Sequence, residues 1–567
     1  MYILGISCYF HDSAAVLLKD GVVVAAAQEE RFTRKKHDSS YPKNAIDYCL
    51  SHEKIASQDI SYAVFYEKPF LKFERIFLNS VEYAPKSLRF YTESMKRWFF
   101  EHAWIKSHII STLGISSSQI LFSEHHLSHA ASAYFVSPFK DSAVLTIDGV
   151  GEWTTVAWGI GKGSDLQLSE EIRFPHSLGL LYSVFTYFCG YEVNDGEYKL
   201  MGLAPYGQPI YEEKIKKLLH LNRDGSFNID LKFFSYQYSL TGVYSKEFEK
   251  IFGKPNKTPD KITKYHADIA SSIQKVLEDI VINIAKYVRK KSGLSNLSFA
   301  GGVAFNSVAN YKVLQAAGFD DIYIQPAAGD AGGALGAALW AYHTVLNNKR
   351  KYIMDDVYLG EEEQEEQTVA VFKSLNVKYR KVRNEKLIDE VSEKLAEKKV
   401  IGWVQGRFEW GPRSLGNRSI LADPRSFEMK GVVNKKIKFR EAFRPFAPSI
   451  PIEKATKYFD VLNEKSYPFK FMLYVAPVKS SKRKELGAVT HEDGTARPQF
   501  VSKKSNPIYH NLISAFGQKT GTPVLLNTSF NLRGEPIVNN SREAYQTFMK
   551  SGLDVLVVNN LIIDKKR

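Results

Sequence analysis

Apolar positions along the chain fall into short runs separated by polar turns. Tyr2 to Cys8 reads as a strand, and Phe10-His11-Asp12-Ser13 as the polar turn that follows it. Ala14 to Leu18 and Val22 to Ala27 are then joined through Asp20-Gly21, a strong two-residue hairpin signal. The same plan returns about 140 residues later: AVLTI (143–147) ends in Asp148, glycines open the turn, and TTVAWGIG and LQLSEEIRF pair across Lys162-Gly163. Between the two copies, residues 43–120 alternate helical and aromatic segments such as SLRFYTESMKRWFFEHAW, which read as core packing or as an insertion over a substrate cleft. Residues 262–293 show the helical period and stop at Gly293, predicting a long amphipathic helix. GEYKLMGLAPYG (196–207) reads as a Gly-bounded functional loop, neither helix nor strand.

The repeated strand, turn and hairpin predict an α/β chain that opens with a duplicated nucleotide-binding half-domain, its two first turns facing a phosphate cleft. No GxGxxG follows the first strand, so an actin-like, ribonuclease-H-type architecture is favoured over a Rossmann sheet. Polar breaks at 347–351 and 361–367 place a boundary near residue 350, giving domains of 1–350 and 351–567. Past it come a helix (385–398), a strand (400–404) and loops dense in Arg, Gly, Pro and Asn.

Composition excludes several classes. Hydrophobic content of 44% and charged content of 24% are those of a globular protein. No apolar run is long enough for a membrane span, and MYILGISCYF has no signal-peptide pattern, so a cytoplasmic location without membrane partners is expected. Cys8, Cys49 and Cys189 are too scattered for a disulfide framework or a CxxC site. The formal net charge of +14 is dispersed, with no basic tail or block; it reads as a solvated surface with a few cations reserved for phosphates.

Candidate chemistry gathers in four stretches. In SEHHLSHAASAY, His125 and His129 stand four residues apart and share one helical face. A zinc-protease helix would need a Glu directly after the first His; His126 occupies that place, so a peptidase lacks its base. Asp148 ends its strand beside glycines, and Asp330 lies in the glycine-rich IYIQPAAGDAGGALGAALWA, so the two can add carboxylates to the histidines. Gly301-Gly302, and Gly332-Gly333 with them, are placed to let phosphate or ribose approach a helix start. Arg407, Arg413, Arg418, Lys438, Arg440, Arg444 and Arg497 crowd the C-terminal loops and suggest a pocket for anionic substrates.

Taken in order, GISCYFHDSAA, ERFTRKKHD, HHLSHAASAY, TIDGVGEW, GEYKLMGLAPYG, AGGVAFN, AAGDAGGALGAA, GRFEWGPRSLGNRSILADPR, FREAFRPFAP, DGTARPQFV and LLNTSFNLRGEPIV resemble the ATP-dependent O-carbamoyltransferases of nodulation factors, cephamycins and aminoglycosides. Ser414, after Arg413, is the one minor departure. The resemblance implies a YrdC-like C-terminal α/β domain that makes carbamoyl adenylate from carbamoyl phosphate and ATP, with Mg. Arg413, Lys438, Arg444, Arg497 and Ser529 would hold the substrates there, with Arg418 and Asn527 beside them. It also implies an N-terminal actin-like domain that moves the carbamoyl group to a hydroxyl of a sugar or natural product. That domain would carry a divalent metal on His125, His129, Asp148 and Asp330. Iron(II) is favoured by the family, and the mixed N/O donors also suit zinc or manganese. His11 and Lys36 would line this second site, with His11 taking the acceptor proton, and Asp12, Gly301, Gly302, Asn306, Gly332 and Gly333 would bind substrate or nucleotide. A homodimer is expected from the family. The alternative is an RNA-modifying enzyme of the tRNA threonylcarbamoyl type, against which the chain lacks a separate basic module. A purely ATP-hydrolysing actin-like regulator leaves the arginine-rich half unexplained. The acceptor is not legible in the chain.

Overall fold

The computed structural model describes residues 1–240, 242–258, 261–441 and 443–565. The chain forms two compact units, Met1–Val24 with Ser39–Ile353, and Ala25–Asp38 with Met354–Arg567.

The first unit holds two mixed five-stranded sheets of the same design. One is built from β1 (Tyr2–Ser7), β2 (Ala14–Lys19), β3 (Val22–Gln28), β4 (Ile60–Phe65) and β5 (Ile120–Phe122), in the order β3-β2-β1-β4-β5. The other is built from β6 (Asp141–Ile147), β7 (Thr154–Lys162), β8 (Asp165–Arg173), β11 (Asn296–Ala300) and β12 (Asp321–Tyr323); β9 (Leu219–Leu221) and β10 (Phe227–Ile229) form a separate small hairpin. Read from the other edge, the second order is β8-β7-β6-β11-β12. In both sheets the first strand pairs antiparallel with its hairpin partner and parallel with the later strand on its other side. That shared topology is the duplicated, ribonuclease-H-type plan. Asp20 and Gly21 both take positive φ, as a tight two-residue hairpin demands.

First strands buried on both sides, such as β1 and β6, read as near-continuous apolar runs for that reason. The long helix Lys264–Ser292 ends where Gly293 adopts a left-handed C-cap. Glu197–Leu203 is a helix continued by a 3-10 turn at Ala204–Tyr206, which corrects the loop expected there. Gly196 fits only because no side chain has to clear Tyr191 and the Glu192 carbonyl, and this close approach, not a ligand, explains the glycine. In the aromatic-rich stretch 87–104, Met95 and Trp98 pack with Ile76 in a small core, whereas Phe99, Phe100 and Trp104 are exposed.

The second unit is built on a mixed eight-stranded sheet. Its strands are β13 (Arg380–Lys381), β14 (Ile401–Val404), β15 (Arg418–Ala422), β16 (Ala447–Pro451), β19 (Gln499–Val501), β20 (Leu525–Ser529), β21 (Val555–Val558) and β22 (Leu561–Asp564). They run in the order β13-β22-β21-β14-β15-β20-β16-β19, and β17 (Ala476–Pro477) pairs with β18 (Thr495–Ala496) alongside. Trp403, Leu512 and Phe516 sit in the core between this sheet and its helices. Ala25–Asp38 belongs to this unit although the polar break near 350 suggested one continuous N-terminal domain. Arg31 accounts for the difference. It is buried, donates to the carbonyls of Glu409 and Gly411 (3.4 and 3.0 Å), and lies over the Phe408 ring, while Arg34 donates to the Ile537 carbonyl at 2.8 Å.

Candidate metal centre and cationic site

His125–Tyr134 is one helix, buried at every position except the partly exposed Leu127, and the i, i+4 spacing points His125 and His129 the same way into the first unit. Their Nε2 atoms stand 3.0 Å apart. Asp148 leaves the end of β6 with Oδ2 at 3.2 Å from His125 Nε2 and 3.7 Å from His129 Nε2. Its Oδ1 is held by the Gly302 N–H at 2.7 Å. Asp330 opens the helix Asp330–Trp340, and its Oδ1 is 3.6 Å from each histidine. The two helices approach closely because of Gly336, where a Cβ would sit 1.7 Å from the Ser128 carbonyl oxygen.

These four residues offer ligand atoms that all lie within 4.8 Å of one another. Two buried carboxylates with no lysine or arginine ion pair among the described residues demand positive charge nearby. In this structure the His129 imidazole supplies it. Burial opposes the charged form of His129, yet the neighbouring Asp148 and Asp330 carboxylates hold its pKa up at about 9, and Asp148 is pulled well below the carboxylate range. Neither carboxylate oxygen of Asp330 has a hydrogen-bond partner among the described residues. Two neutral imidazoles and two carboxylates carry the charge that a divalent cation neutralises, so the donor set fits a metal.

His11 stands beside this group, with Nε2 3.8 Å from Asp330 and Nδ1 3.0 Å from Asp12. Burial disfavours its cation, but Asp330, Asp12 and Asp148 outweigh that and raise its pKa to about 9. Asn306 caps the helix Ser307–Ala316 and exchanges two hydrogen bonds with Gln274, each 3.0 Å. Gly332 and Gly333 have a packing role. They lie inside a helix, where a Cβ would strike the Ala327 carbonyl oxygen (2.1 Å) or the Tyr66 ring (2.6 Å), so they serve packing.

The second unit collects cations. Lys438 is buried, and its Nζ donates to the carbonyls of Ser529 (2.8 Å) and Asn531 (2.9 Å), to Asn531 Oδ1 (2.6 Å) and to Ser529 Oγ (3.2 Å). Burial, then Arg440, Arg444 and Lys36, press its pKa well below the usual lysine range. Burial followed by Arg413 and Arg440 does the same to Arg497. Arg440 thus belongs to both neighbourhoods, and Lys36 sits with these cations, in the unit opposite to the one its motif implied. Glu441, 3.5 Å from Arg444, is an acid among them. Arg418 does not join. Its guanidinium is spent on the carbonyls of Asn539, Gln405, Gly406 and Asn417 (2.7–3.1 Å), so it braces the loop and has no fork left for an anion. Arg407 similarly binds the carbonyls of Gly360 and Leu359. The Asn527 amide is used inside the sheet, on Ser414 O, Ser449 Oγ and Gln499 Oε1. An Arg at a Gly-rich turn looks the same in sequence whether it meets a ligand or a carbonyl cage.

The chain thus joins a buried two-histidine, two-carboxylate group on a duplicated ribonuclease-H-type unit to an α/β unit in which Lys438 is buried among arginines. Residues 2–339 match the carbamoyltransferase N-terminus family model and residues 392–565 the carbamoyltransferase C-terminus model; the chain belongs to the carbamoyltransferase family. It is 46% identical to an uncharacterised protein of Synechocystis sp. across 100% of this chain and 97% of that one. It is 38% identical to nodulation protein NolNO of Sinorhizobium fredii over 98% of this chain and 79% of the relative. Against the 3'-hydroxymethylcephem-O-carbamoyltransferase of Amycolatopsis lactamdurans it is 35% identical over 47% of this chain and 48% of the relative. No helix among the described residues is long and apolar enough to cross a membrane.

Proposed function

We propose that this carbamoyltransferase activates carbamoyl phosphate with ATP in the C-terminal domain (351–567) and transfers the carbamoyl group to an acceptor hydroxyl in the N-terminal domain (1–350). The observation that carries the reading is the cation group around Lys438 and Arg497. After burial itself, Arg440, Arg444 and Lys36 lower the proton affinity of Lys438, and Arg413 and Arg440 lower that of Arg497, a crowding of six basic residues that two polyanions would relieve; Lys36 comes from the 25–38 segment of the same unit. The atoms balance in two steps. Phosphate leaves carbamoyl phosphate as water supplies the carbamate oxygen; that oxygen then attacks the α-phosphorus of ATP, and pyrophosphate leaves with carbamoyl adenylate formed. Arg forks hold phosphate oxygens in line, while Lys438, seated on Ser529 and Asn531, donates a point charge to the crowded anions.

In the N-terminal domain His125, His129, Asp148 and Asp330 would hold a divalent cation, iron(II) by family resemblance. Such an ion supplies Lewis-acid polarisation of a phosphate or carbonyl oxygen when bound. His11, at the edge of this group and braced by Asp12, is positioned to hold the acceptor hydroxyl; a divalent cation on Asp148 and Asp330 would offset the carboxylates that raise its pKa to about 9, so that it could receive the hydroxyl proton as the oxygen attacks the carbamoyl carbon and AMP leaves. The acceptor is a saccharide or natural-product hydroxyl.

Pyrophosphate release from ATP tests the activating half. Release that requires carbamoyl phosphate, disappears in Arg444→Ala and persists in His11→Asn is expected. Release independent of carbamoyl phosphate would overturn the donor assignment, and loss in both variants would overturn the division of labour.

A further inference from the structure

The turn that supplies Asp148 ends, four residues on, in a second buried carboxylate. Glu152 is 5% exposed and lies outside the four-residue ligand group. Its Oε1 accepts the Lys68 N–H at 2.7 Å, and both of its oxygens accept the His125 N–H at 3.1 Å. His125 is the first residue of its helix, and the first four N–H groups of a helix lack intrahelical partners. Glu124, the residue in the cap position, makes no side-chain cap, so the helix start is capped from a distance by Glu152. The turn is also in direct contact with the helix. A Cβ on Gly151 would lie 3.0 Å from both His125 Cβ and His126 Cδ2, and the Gly151 N–H donates to the Thr154 carbonyl at 2.9 Å. Lys68 follows the end of β4, so one carboxylate ties together the β4 exit, the β6 exit and the histidine helix.

We propose that Glu152 is the positioning residue of the metal centre: it seats the N-terminus of the histidine helix against the same turn that carries Asp148, and so sets where His125 Nε2 stands relative to that ligand. The inference rests on the reading that His125, His129, Asp148 and Asp330 hold a divalent ion.

The test uses the full chain, freed of metal by chelation and titrated with Co(II), whose visible absorption reports the ligand set. Glu152→Gln keeps an acceptor oxygen; Glu152→Ala keeps none. Asp148→Asn, a ligand change, is the reference. Losses of outer partners of metal ligands typically cost about ten- to hundredfold in affinity, and that is the range expected for Glu152→Ala, with Glu152→Gln intermediate and the saturated Co(II) spectrum keeping the wild-type band positions. An affinity of Glu152→Ala within about threefold of wild type, in a protein with unchanged circular dichroism, would overturn the proposal. So would Glu152→Gln binding as weakly as Glu152→Ala, since the hydrogen bonds would then be irrelevant. Should Glu152→Ala not fold, Glu152→Gln decides alone by the same threefold margin. Failure of the wild-type chain to bind Co(II) more tightly than Asp148→Asn would instead remove the metal reading itself.

Discussion

At the scale of single residues, burial decides which titratable groups matter. His343 is buried against the Phe135 ring, with Nδ1 2.9 Å from the Asn348 carbonyl and Arg350 nearby. Burial comes first and the Arg350 charge adds to it, the Asn348 contact opposing, so its pKa falls to about 4. An unfolded chain binds a proton at this site near pH 6.5 and the folded chain only near 4. Between those values the unfolded state therefore holds more protons, and stability present above pH 6.5 is lost as pH falls towards 4. The upper bound is about 3 kcal/mol. Urea midpoints at pH 7 and pH 4.5 should differ less in His343→Leu than in wild type; an equal difference would show that His343 titrates normally. The same reasoning separates two kinds of arginine. Arg418 sits inside a cage of carbonyls, whereas Arg497 is pressed by Arg413 and Arg440, and only the second situation calls for an anion.

At the scale of elements, close helix packing places the metal group. The helix Asp330–Trp340 crosses the histidine helix at Gly336, and this approach brings Asp330 within reach of both imidazoles. Gly336→Val forces the helices apart, because its Cβ would overlap the Ser128 carbonyl oxygen. Overpacking of this kind costs about 1–3 kcal/mol or more, and loss of bound metal should accompany the lower melting temperature. Gly431, in the helix Phe427–Val432, has open space around a would-be Cβ. Gly431→Ala is accordingly expected to be neutral or to stabilise by about 0.5–1 kcal/mol. Paired melting curves with metal analysis check both; an unperturbed Gly336→Val would mean the helix contact is looser than its geometry indicates.

At the scale of the whole molecule, the chain makes an early excursion: residues 25–38 pack with residues 354–567. Arg31 and Arg34 anchor the excursion to backbone carbonyls of that unit, and Lys36 is thereby delivered to the Lys438 cations. Lys36→Ala in the full chain should therefore reduce carbamoyl-phosphate-dependent pyrophosphate release about tenfold or more while metal content stays at the wild-type level, since one charge-assisted contact contributes about 1.5–3 kcal/mol. Metal loss with normal pyrophosphate release would return Lys36 to the first unit, where its motif implied it belonged.

Several features follow from local sequence alone, because they depend on short-range chemistry. The Asp20-Gly21 hairpin, the stop of the long helix at Gly293, the i, i+4 pair His125 and His129, and the strand ending in Asp148 are all set by turn geometry and periodicity. The repeat of strand, turn and hairpin likewise announced two sheets of one design. Other roles required the tertiary structure, because identical residue types serve opposite ends. Gly332 and Gly333 are packing contacts where a phosphate loop was expected, and Asn306 is a helix cap. Arg418 braces carbonyls supplied by residues 405, 406, 417 and 539, partners that no local pattern connects. Glu152 carries no signal of its own in DGVGEW; its meaning lies in the His125 and Lys68 N–H groups that folding brings to it. Local pattern determines which elements form and which way their side chains face, whereas a side chain's task is set by what burial leaves unpaired around it, and only the folded chain decides that.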